Sequence, residues 1–452
     1  MRFFFAFFCC IVFIGINACN NHTTNAVVSD TAKINGHPAW IMQGNIYEVN
    51  VRQYTPEGTF NAFAKHLDRL KEMGVQTLWF MPINPISKIE RKGSLGSYYA
   101  VSSYTDVNPE FGTMEDWNNL VKQAHEKGFK VIIDWVPNHT GADHYWLTKH
   151  TDFYVKDSTG KPRMAEDWAD TRQLNYKNPE MVDSMIAQLK FWIKKSDLDG
   201  FRFDVAWNVP DSFWTKCLAE LKKEKNVFLL AEADKPSMHK DGFDATYTWN
   251  EFHMLNKIAK GERPAFAIDS ALNHTDTAFP AHIIRMFFTS NHDENSWNKA
   301  DYETMPGAIH APFAVFTQTI KNSVPLIYSG QEEPFLRAIR FFDKDTMTFS
   351  KYARADFYRT LLTLRKNNAA LSADASFKKV VVGDEKAVYA YTREKDGKKV
   401  LVILNWSNKP QTITVKDATL NGKVKNVFTK TEETISDKPL QVEAWGYKVY
   451  EY

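Results

Sequence analysis

Short apolar runs alternate with helix-like segments from about residue 40 to residue 370 of the chain. The apolar runs have the length of buried strands, and the segments between them repeat apolar residues every three or four positions, as amphipathic helices do. This pattern predicts eight strands, at residues 46–51, 75–80, 129–136, 199–204, 227–231, 243–249, 283–289 and 324–328. The predicted helices are residues 60–73, 114–127, 181–195, 213–223, 312–320 and 352–365.

Eight strands that alternate with helices favour a closed (β/α)₈ barrel over residues 40–370. An open, doubly wound sheet is the alternative, but no glycine-rich phosphate loop follows the first strand, which argues against a nucleotide-binding version of it. Two connections are long, at residues 84–112 and 138–178. Long connections in a compact domain are usually functional, and we expect residues 138–178 to form a short inserted domain B.

The pattern changes after about residue 371, where short runs of strand type replace the helical segments. Asp396-Gly397 and Asn421-Gly422 are dipeptides typical of hairpin turns. We therefore expect a C-terminal antiparallel β-sandwich over residues 371–452. Its predicted strands are residues 380–382, 387–392, 400–405, 412–415, 424–428 and 447–450.

The N-terminus has the pattern of an export signal. Met1 and Arg2 precede an apolar run at residues 3–16, which is too short to cross a bilayer and is typical of a signal-peptide core. A small residue before Cys19 resembles the bacterial lipobox, in which the cysteine is lipidated after cleavage. Because Asn17 is unusual in that motif, ordinary signal cleavage is the alternative. We expect a signal peptide at residues 1–19 and a tether at residues 20–39.

This interpretation predicts an exported protein of bacterial type, either periplasmic or anchored to a membrane as a lipoprotein through Cys19. Three of the four cysteines lie within residues 1–19, where Cys19 is the candidate for lipidation, so only Cys217 remains in the folded part of the chain. A single cysteine excludes an internal disulfide and a cysteine metal site.

Charge and aromatic content narrow the class of ligand. The net charge is only +2 over 452 residues, which argues against nucleic acid as a partner. Aromatic residues make up 14% of the chain. Most of them belong to the core, but any that are exposed in a cleft would suit the apolar faces of sugar rings.

Acidic residues follow three of the predicted strands. Asp204, Glu232 and Asp293 stand at the ends of the fourth, fifth and seventh strands. The carboxyl ends of barrel strands share one face, so these side chains are expected to converge there. A single strand-end aspartate is often a cap, but several on one rim repel each other and are hard to explain by stability. Their predicted neighbours on the rim are His139, Arg202 and His292.

The spacing of Arg202 and Asp204 places both side chains on one face of the fourth strand. A neighbouring positive charge favours the ionised form of a carboxyl group, so we expect Arg202 to hold Asp204 ionised. Crowding among carboxyl groups also raises one pKa, which leaves a protonated acid beside an ionised base. Glycosidic bond cleavage requires such a pair.

A hydrolytic metal site is the rival interpretation, with His139 and His292 joining the carboxylates around a cation. We rank it lower, because Arg202 would lie beside the metal and the chain has no close histidine pair of the His-x-x-x-His type.

At these motifs the chain resembles glycoside hydrolase family 13, the α-amylase family, over roughly residues 40–450. Four segments match the family's conserved regions in order, and residues 173–175 match a fifth. The four are residues 134–139, residues 200–204, Glu232 with the strand before it, and residues 288–293.

The resemblance implies that Asp204 is the nucleophile, Glu232 the general acid and base, and Asp293 the residue that stabilises the transition state. Arg202 would orient Asp204. The residues expected to bind the sugar are Tyr99, His139, His292 and Arg340.

The resemblance also implies that no redox or nucleotide cofactor is required, and it makes Asn138 a candidate ligand of a structural calcium. Many members carry a Lys-His pair shortly after the nucleophile, near that calcium. Here the pair is Trp207-Asn208, which departs from the family pattern.

The predicted activity is that of a retaining α-glucan hydrolase, which cleaves α-1,4 bonds of starch-derived oligosaccharides through an ester with Asp204. Within the family the alternatives are an oligo-1,6-glucosidase, a cyclomaltodextrinase-like enzyme and a glucan transferase. From another class, the chain could be a non-catalytic glucan-binding lipoprotein, which would be expected to lack at least one of Asp204, Glu232 and Asp293.

Overall fold

Eight parallel strands close into a barrel in the computed structural model, which describes residues 29–452. Each strand pairs with the next along the chain, and the eighth pairs with the first in a parallel register that places Leu326 opposite Ile46. The predicted closed barrel is therefore confirmed, and the open sheet is wrong. The barrel strands are β1 (Ile46–Val49), β2 (Thr77–Phe80), β3 (Lys130–Trp135), β4 (Gly200–Phe203), β5 (Phe228–Ala231), β6 (Ala245–Tyr247), β7 (Ile284–Phe287) and β8 (Ser323–Tyr328).

The elements around the barrel differ from the prediction in several places. The helix predicted at residues 60–73 is two helices, because a turn at Lys65 and His66 interrupts it between Ala64 and Leu67. The strand predicted at residues 243–249 is shorter, since Trp249 already begins a helix, and two helices between β6 and β7 were not predicted. The α-helices are Val51–Tyr54, Phe60–Ala64, Leu67–Met73, Met114–Glu126, Trp146–Lys149, Pro179–Ser196, Asp211–Glu224, Pro236–Asp241, Trp249–Ala259, Ile268–Ala278, His292–Asn298, His310–Thr319 and Ala355–Asn367.

The inner layer of the barrel is apolar, with Trp79, Phe228 and Met286 among its buried side chains. The first residue of strand β4 is Gly200, a position that has no room for a side chain. A Cβ atom on Gly200 would lie 2.0 Å from the carbonyl oxygen of Phe228 in β5. This close approach sets the position of the strand that carries Arg202.

The connection at residues 138–178 covers one side of the rim. Its ends form a two-stranded antiparallel sheet, His139–Gly141 with Thr171–Gln173, and the helix Trp146–Lys149 lies between them. The backbone N–H of Gly141 donates to the carbonyl of Val101 at 2.7 Å, which joins this connection to the one after β2. Both long connections therefore reach the same rim.

The C-terminal part is antiparallel, as predicted, with a six-stranded sheet and a two-stranded sheet. The turn at Asp396-Gly397 is confirmed, because both residues have positive φ between paired strands. The turn at Asn421-Gly422 is wrong: Gly422 begins a strand directly after a short 3₁₀ helix. The run at residues 380–382 also lies outside the strands, which are Ser376–Lys379, Val388–Lys395, Lys398–Asn405, Gln411–Ile413, Gly422–Asn426, Glu432–Ile435, Leu440–Val442 and Tyr447–Glu451.

The six-stranded sheet buries both of its faces. Tyr389 and Val402 pack with Phe316, from a helix next to the barrel. On the other face Ile403 packs with Ile413 of the two-stranded sheet.

The prediction of a tether at residues 20–39 is wrong for residues 33–38. Lys33–Ile34 and His37–Pro38 pair as a small hairpin. The ring of His37 lies 3.0 Å from Asp244, which fixes the hairpin against the barrel. The predicted signal peptide at residues 1–19 and Cys19 lie outside the described residues. Within residues 29–452 none of the helices combines the length and apolarity that a bilayer crossing requires.

Candidate active site

One cavity of about 410 Å³ lies at the carboxyl ends of the barrel strands. Asp204, Glu232 and Asp293 all line it, so the structure brings the three predicted carboxylates together. Large aromatic side chains surround them, and Trp207 and Trp297 remain about half exposed. The other aromatic residues of the lining are Tyr99, Trp168, Phe341 and Phe342.

Arg202 joins two of these carboxylates through different nitrogens. Its Nη1 donates to Asp204 Oδ1 at 3.0 Å, and its Nη2 lies 3.0 Å from Glu232 Oε1. The same guanidinium also donates to Asp134 at 2.9 Å and to the hydroxyl of Tyr247 at 3.1 Å. Arg202 is fully buried, so these contacts compensate for the loss of its hydration.

Burial changes the expected charge state of the nucleophile. Removal of Asp204 from water and the charge of Glu232 raise the pKa of Asp204 well above its usual range, although Arg202 opposes the shift. Arg202 therefore acts in the predicted direction, but burial and the charge of Glu232 outweigh it. Burial likewise raises the pKa of Asp134 to about 6. Burial and like charge thus favour the protonated form within this crowded group, as the argument from like charges requires.

The residue after Asp204 has a strained backbone. Val205 adopts φ 46° and ψ 38°, a left-handed conformation that a β-branched residue rarely takes. Its N–H donates to Glu232 Oε2 at 2.6 Å. A conformation of this kind costs on the order of 1–3 kcal/mol and persists where the surroundings enforce it. Here the conformation directs the N–H of Val205 at the carboxylate of Glu232.

His292 lies between two carboxylates. Its Nδ1 contacts Glu48 Oε1 at 2.5 Å, and its Nε2 lies 3.2 Å from Asp293 Oδ2. Burial lowers the pKa of His292, but the charges of Asp293 and Glu48 outweigh it and raise the pKa well above its usual range. Tyr99 stacks on the imidazole, with ring centroids 5.5 Å apart, and its hydroxyl donates to Asp134 at 3.0 Å.

His139 has the opposite charge state. It is buried, and desolvation lowers its pKa to about 4, so the ring is neutral at neutral pH. Its Nδ1 lies 3.2 Å from the amide of Asn138, and its Nε2 has no partner among residues 29–452. The ring lines the cavity, which leaves Nε2 available to a ligand.

Arg340 is the predicted binding residue that the structure does not bring to the site. Its side chain is exposed and is absent from the cavity lining. The following residues Phe341 and Phe342 line the cavity instead, because this loop turns its aromatic side chains inward and stacks Phe341 near Tyr99. The structure therefore does not bring Arg340 to the cavity, and its role in sugar binding stays a prediction.

The surroundings of Asn138 do not fit a calcium ion. Its Oδ1 accepts a hydrogen bond from Asn208 at 3.2 Å, which takes one of the two lone pairs of the oxygen proposed as a ligand. Among the described residues no group of three or more histidine, cysteine or acidic side chains is placed to hold a metal. The rival metal-hydrolase interpretation also fails, because both ring nitrogens of His292 contact protein oxygens.

Sequence reasoning missed Glu48 and Tyr247 of this site and gave no role to Asp134. Glu48 and Asp134 lie within barrel strands that are mostly apolar, and both are fully buried. A charged residue inside a buried strand is rare without a partner, and that signal was present in the sequence.

Comparison with known proteins places these residues in a family. The model described as "Alpha amylase, catalytic domain" matches residues 29–361, which is more than half of the chain. The chain belongs to the α-amylase family. A second model, the "Alpha-amylase SusG C-terminal domain", matches residues 388–446.

Individual members of the α-amylase family are moderately similar to this chain in sequence. Alpha-amylase MalA of Haloarcula japonica is 26% identical over 83% of this chain, and cyclomaltodextrinase of Thermoanaerobacter pseudethanolicus is 26% identical over 79% of it. The chain spans 57% and 65% of the lengths of these two relatives. The crystal structure of a maltogenic α-amylase, AmyB of Thermotoga neapolitana, is 26% identical and superposes with a TM-score of 0.83 over 91% of this chain and 99% of that one.

Proposed function

We propose that the protein is a retaining α-glucan hydrolase that cleaves α-1,4 bonds of starch-derived oligosaccharides. The observation that supports it most is the position of Asp204 and Glu232, which share the guanidinium of Arg202 at the wall of one cavity. Retaining glycosidases need two close carboxyl groups, one that attacks the sugar and one that protonates the leaving oxygen.

In the proposed reaction Asp204 attacks the anomeric carbon while Glu232 donates a proton to the departing oxygen. The resulting glycosyl ester on Asp204 is then hydrolysed by a water molecule that Glu232 deprotonates. Asp204 must be ionised for the attack, and Arg202 supplies the positive charge that favours this form. Glu232 supplies the proton that the leaving group requires.

The remaining side chains stabilise positive charge on the sugar and hold its hydroxyl groups. Asp293 is paired with the His292 imidazolium, which lowers the pKa of this carboxyl group against the effect of burial. It therefore stays ionised and can stabilise an oxocarbenium-like transition state. The neutral His139 and the stacked ring of Tyr99 complete the wall around that sugar.

Product analysis tests the substrate class. Purified protein is incubated with maltooligosaccharides, pullulan and cyclodextrins, with Asp204→Asn as the inactive variant and Asp183→Asn, on an exposed helix position, as the matched control. We expect shorter maltooligosaccharides from linear substrates and none with the Asp204→Asn variant. Cleavage of cyclodextrins in preference to linear chains would favour a cyclomaltodextrinase, products longer than the substrate a transferase, and cleavage of α-1,6 bonds alone an oligo-1,6-glucosidase. An active Asp204→Asn variant would contradict the mechanism.

We propose in addition that the mature protein is exported and attached to a membrane through a lipid on Cys19. Support comes from the apolar run at residues 3–16 and the small residue before Cys19. In a bacterial host the wild type is expected in the membrane fraction and the Cys19→Ala variant in the soluble fraction. A soluble wild type would contradict the anchor.

A further inference from the structure

A buried carboxylate in the cavity wall takes no part in the site described above. Asp170 belongs to the connection after β3, and its side chain is only 3% exposed although it lines the cavity. Its Oδ2 has no hydrogen-bond partner among residues 29–452. A buried carboxylate oxygen without a donor is costly, so a donor supplied by a ligand would be favoured at this place.

A positive charge approaches Asp170 from the other long connection. Lys92, in the connection after β2, also lines the cavity, and its Nζ lies 3.6 Å from Asp170 Oδ1. That distance is longer than a hydrogen bond, and Lys92 is 36% exposed. A structural ion pair would be expected to close to hydrogen-bond distance. The pair instead leaves an acceptor and a donor facing the same space.

The register of the short sheet separates this pair from the catalytic carboxylates. His139 is paired with Gln173, and Asp170 directly precedes the strand Thr171–Gln173, where its carbonyl continues the pairing by accepting from the N–H of Ala142 at 3.0 Å. At about 3.3 Å per residue the backbone of Asp170 is roughly 10 Å from the position opposite His139. This distance is larger than one pyranose ring. Asp170 is therefore placed for a neighbouring sugar, not for the one held at His139.

The chemistry of the pair fits a neutral sugar. A carboxylate accepts hydrogen bonds from hydroxyl groups and an ammonium donates to them. The indole of Trp168, which packs edge-on against His139 at 5.2 Å, offers an apolar face between the two places. We propose that Asp170 and Lys92 form a subsite that binds the hydroxyl groups of a second glucosyl unit, adjacent to the unit at Asp204. This inference rests on the proposed function.

Substrate length tests the subsite. The value of kcat/KM is measured for maltoheptaose and for α-glucosyl fluoride, which has a single glucosyl unit. In Asp170→Asn we expect the ratio of the two values to fall about tenfold, the scale of one lost hydrogen bond to a charged group. Lys92→Met should lower it severalfold and Lys92→Arg should largely restore it. An unchanged ratio, with equal losses on both substrates or no loss on either, would overturn the subsite.

Matched variants control for two other effects of a substitution, the removal of a charge and the loss of the folded structure. Asp183→Asn and Lys122→Met remove exposed charges on helices, with side chains 66% and 74% exposed. Both are expected to leave the ratio unchanged, and all variants should unfold at the temperature of the wild type. A ratio that falls equally in the controls would overturn the assignment to Asp170 and Lys92.

Binding separates this inference from the proposed function. Calorimetry with maltoheptaose compares Asp204→Asn with the double variant that also carries Asp170→Asn. A dissociation constant about tenfold higher in the double variant supports the subsite even if the wild type hydrolyses no α-glucan, and in that case only the proposed function fails. Equal dissociation constants together with wild-type hydrolysis would overturn the subsite alone.

Discussion

Glu48 and His292 form a charged contact inside the barrel, with Glu48 Oε1 2.5 Å from His292 Nδ1. Both side chains are buried, and Glu48 Oε2 has no hydrogen-bond partner within residues 29–452. Asp293 contacts the other ring nitrogen, and Tyr99 and Asp134 complete the titratable surroundings of the imidazole. Glu48 thus acts as a positioning residue that keeps His292 charged and oriented beside Asp293.

Replacement of Glu48 by Gln is expected to shift the pH dependence of hydrolysis. The folded-state pKa of His292 is raised, so its charged form is lost as the pH rises through that pKa. Without the Glu48 charge this pKa falls, so the charged form of His292 is lost at lower pH and the basic limb of the kcat/KM profile should move to lower pH. Glu126→Gln, on an exposed position, is the control. A basic limb at the wild-type pH in Glu48→Gln would contradict this role.

Replacement of Arg202 by Lys tests the shared guanidinium. Lysine presents one compact ammonium group and cannot contact Asp204 and Glu232 through two separate nitrogens as arginine does. We expect kcat/KM to fall roughly 10²-fold or more. Arg337→Lys is the matched control, because Arg337 also makes a two-pronged contact, to Asp345, but is half exposed. Wild-type kcat/KM in a correctly folded Arg202→Lys variant would show that the shared contact is dispensable.

The exposed aromatic residues of the cleft are expected to contribute to binding. Trp207 is 46% exposed and lines the cavity, whereas Phe266 is 43% exposed and lies outside it. Trp207→Ala should raise KM for maltoheptaose about three- to tenfold, because one aromatic face for a sugar ring is lost. Phe266→Ala should leave KM unchanged. Equal KM values in the two variants would remove Trp207 from the binding surface.

Asp199 is expected to stabilise the fold in a pH-dependent manner. Burial raises its pKa, but the hydrogen bond from His125 and the charges of Lys225 and Lys130 outweigh it and bring the pKa to about 2. The unfolded value is near 3.9, and the difference corresponds to about 2.5 kcal/mol at neutral pH. Because the folded pKa is lowered, this contribution is present above about pH 4 and is lost as the pH falls toward 2.

Urea unfolding of Asp199→Asn checks this prediction. The free energy of unfolding should be about 2 kcal/mol below that of the wild type at pH 7, with the gap closing as the pH approaches 2. Asp197→Asn is the control: its side chain is 75% exposed, and asparagine tolerates the left-handed backbone of this position. A gap between wild type and Asp199→Asn that is constant with pH would contradict the charge-based account.

The barrel and its carboxylates could be predicted because each signal lies at the end of an apolar strand. Asp204, Glu232 and Asp293 each follow such a strand, so topology alone brings them to one rim. The helix Ile268–Ala278 was missed because most of its residues are polar and only a few, such as Leu272, face the core. A pattern with so few apolar positions gives little evidence of a helix.

Other parts of the site depend on three-dimensional contacts that a linear pattern does not contain. The burial that raises the pKa of Asp204 comes from packing of several loops, while the neighbouring charge of Arg202 is visible in the sequence. Arg340 matched a motif, yet the loop after β8 turns Phe341 toward the cavity instead. The pairing of Lys92 with Asp170 joins two long connections with little periodicity, so their mutual position appears only in the folded chain.

The central claim, a double displacement through Asp204, is tested most directly by the anomeric configuration of the first product. Proton NMR of maltoheptaose hydrolysis is recorded within the first minutes, before mutarotation mixes the anomers. Retention through a glycosyl ester predicts that the new reducing end appears as the α-anomer and converts to the β-anomer afterwards. If the β-anomer appears first, the bond is cleaved by a single displacement, and the account of Asp204 as nucleophile is contradicted.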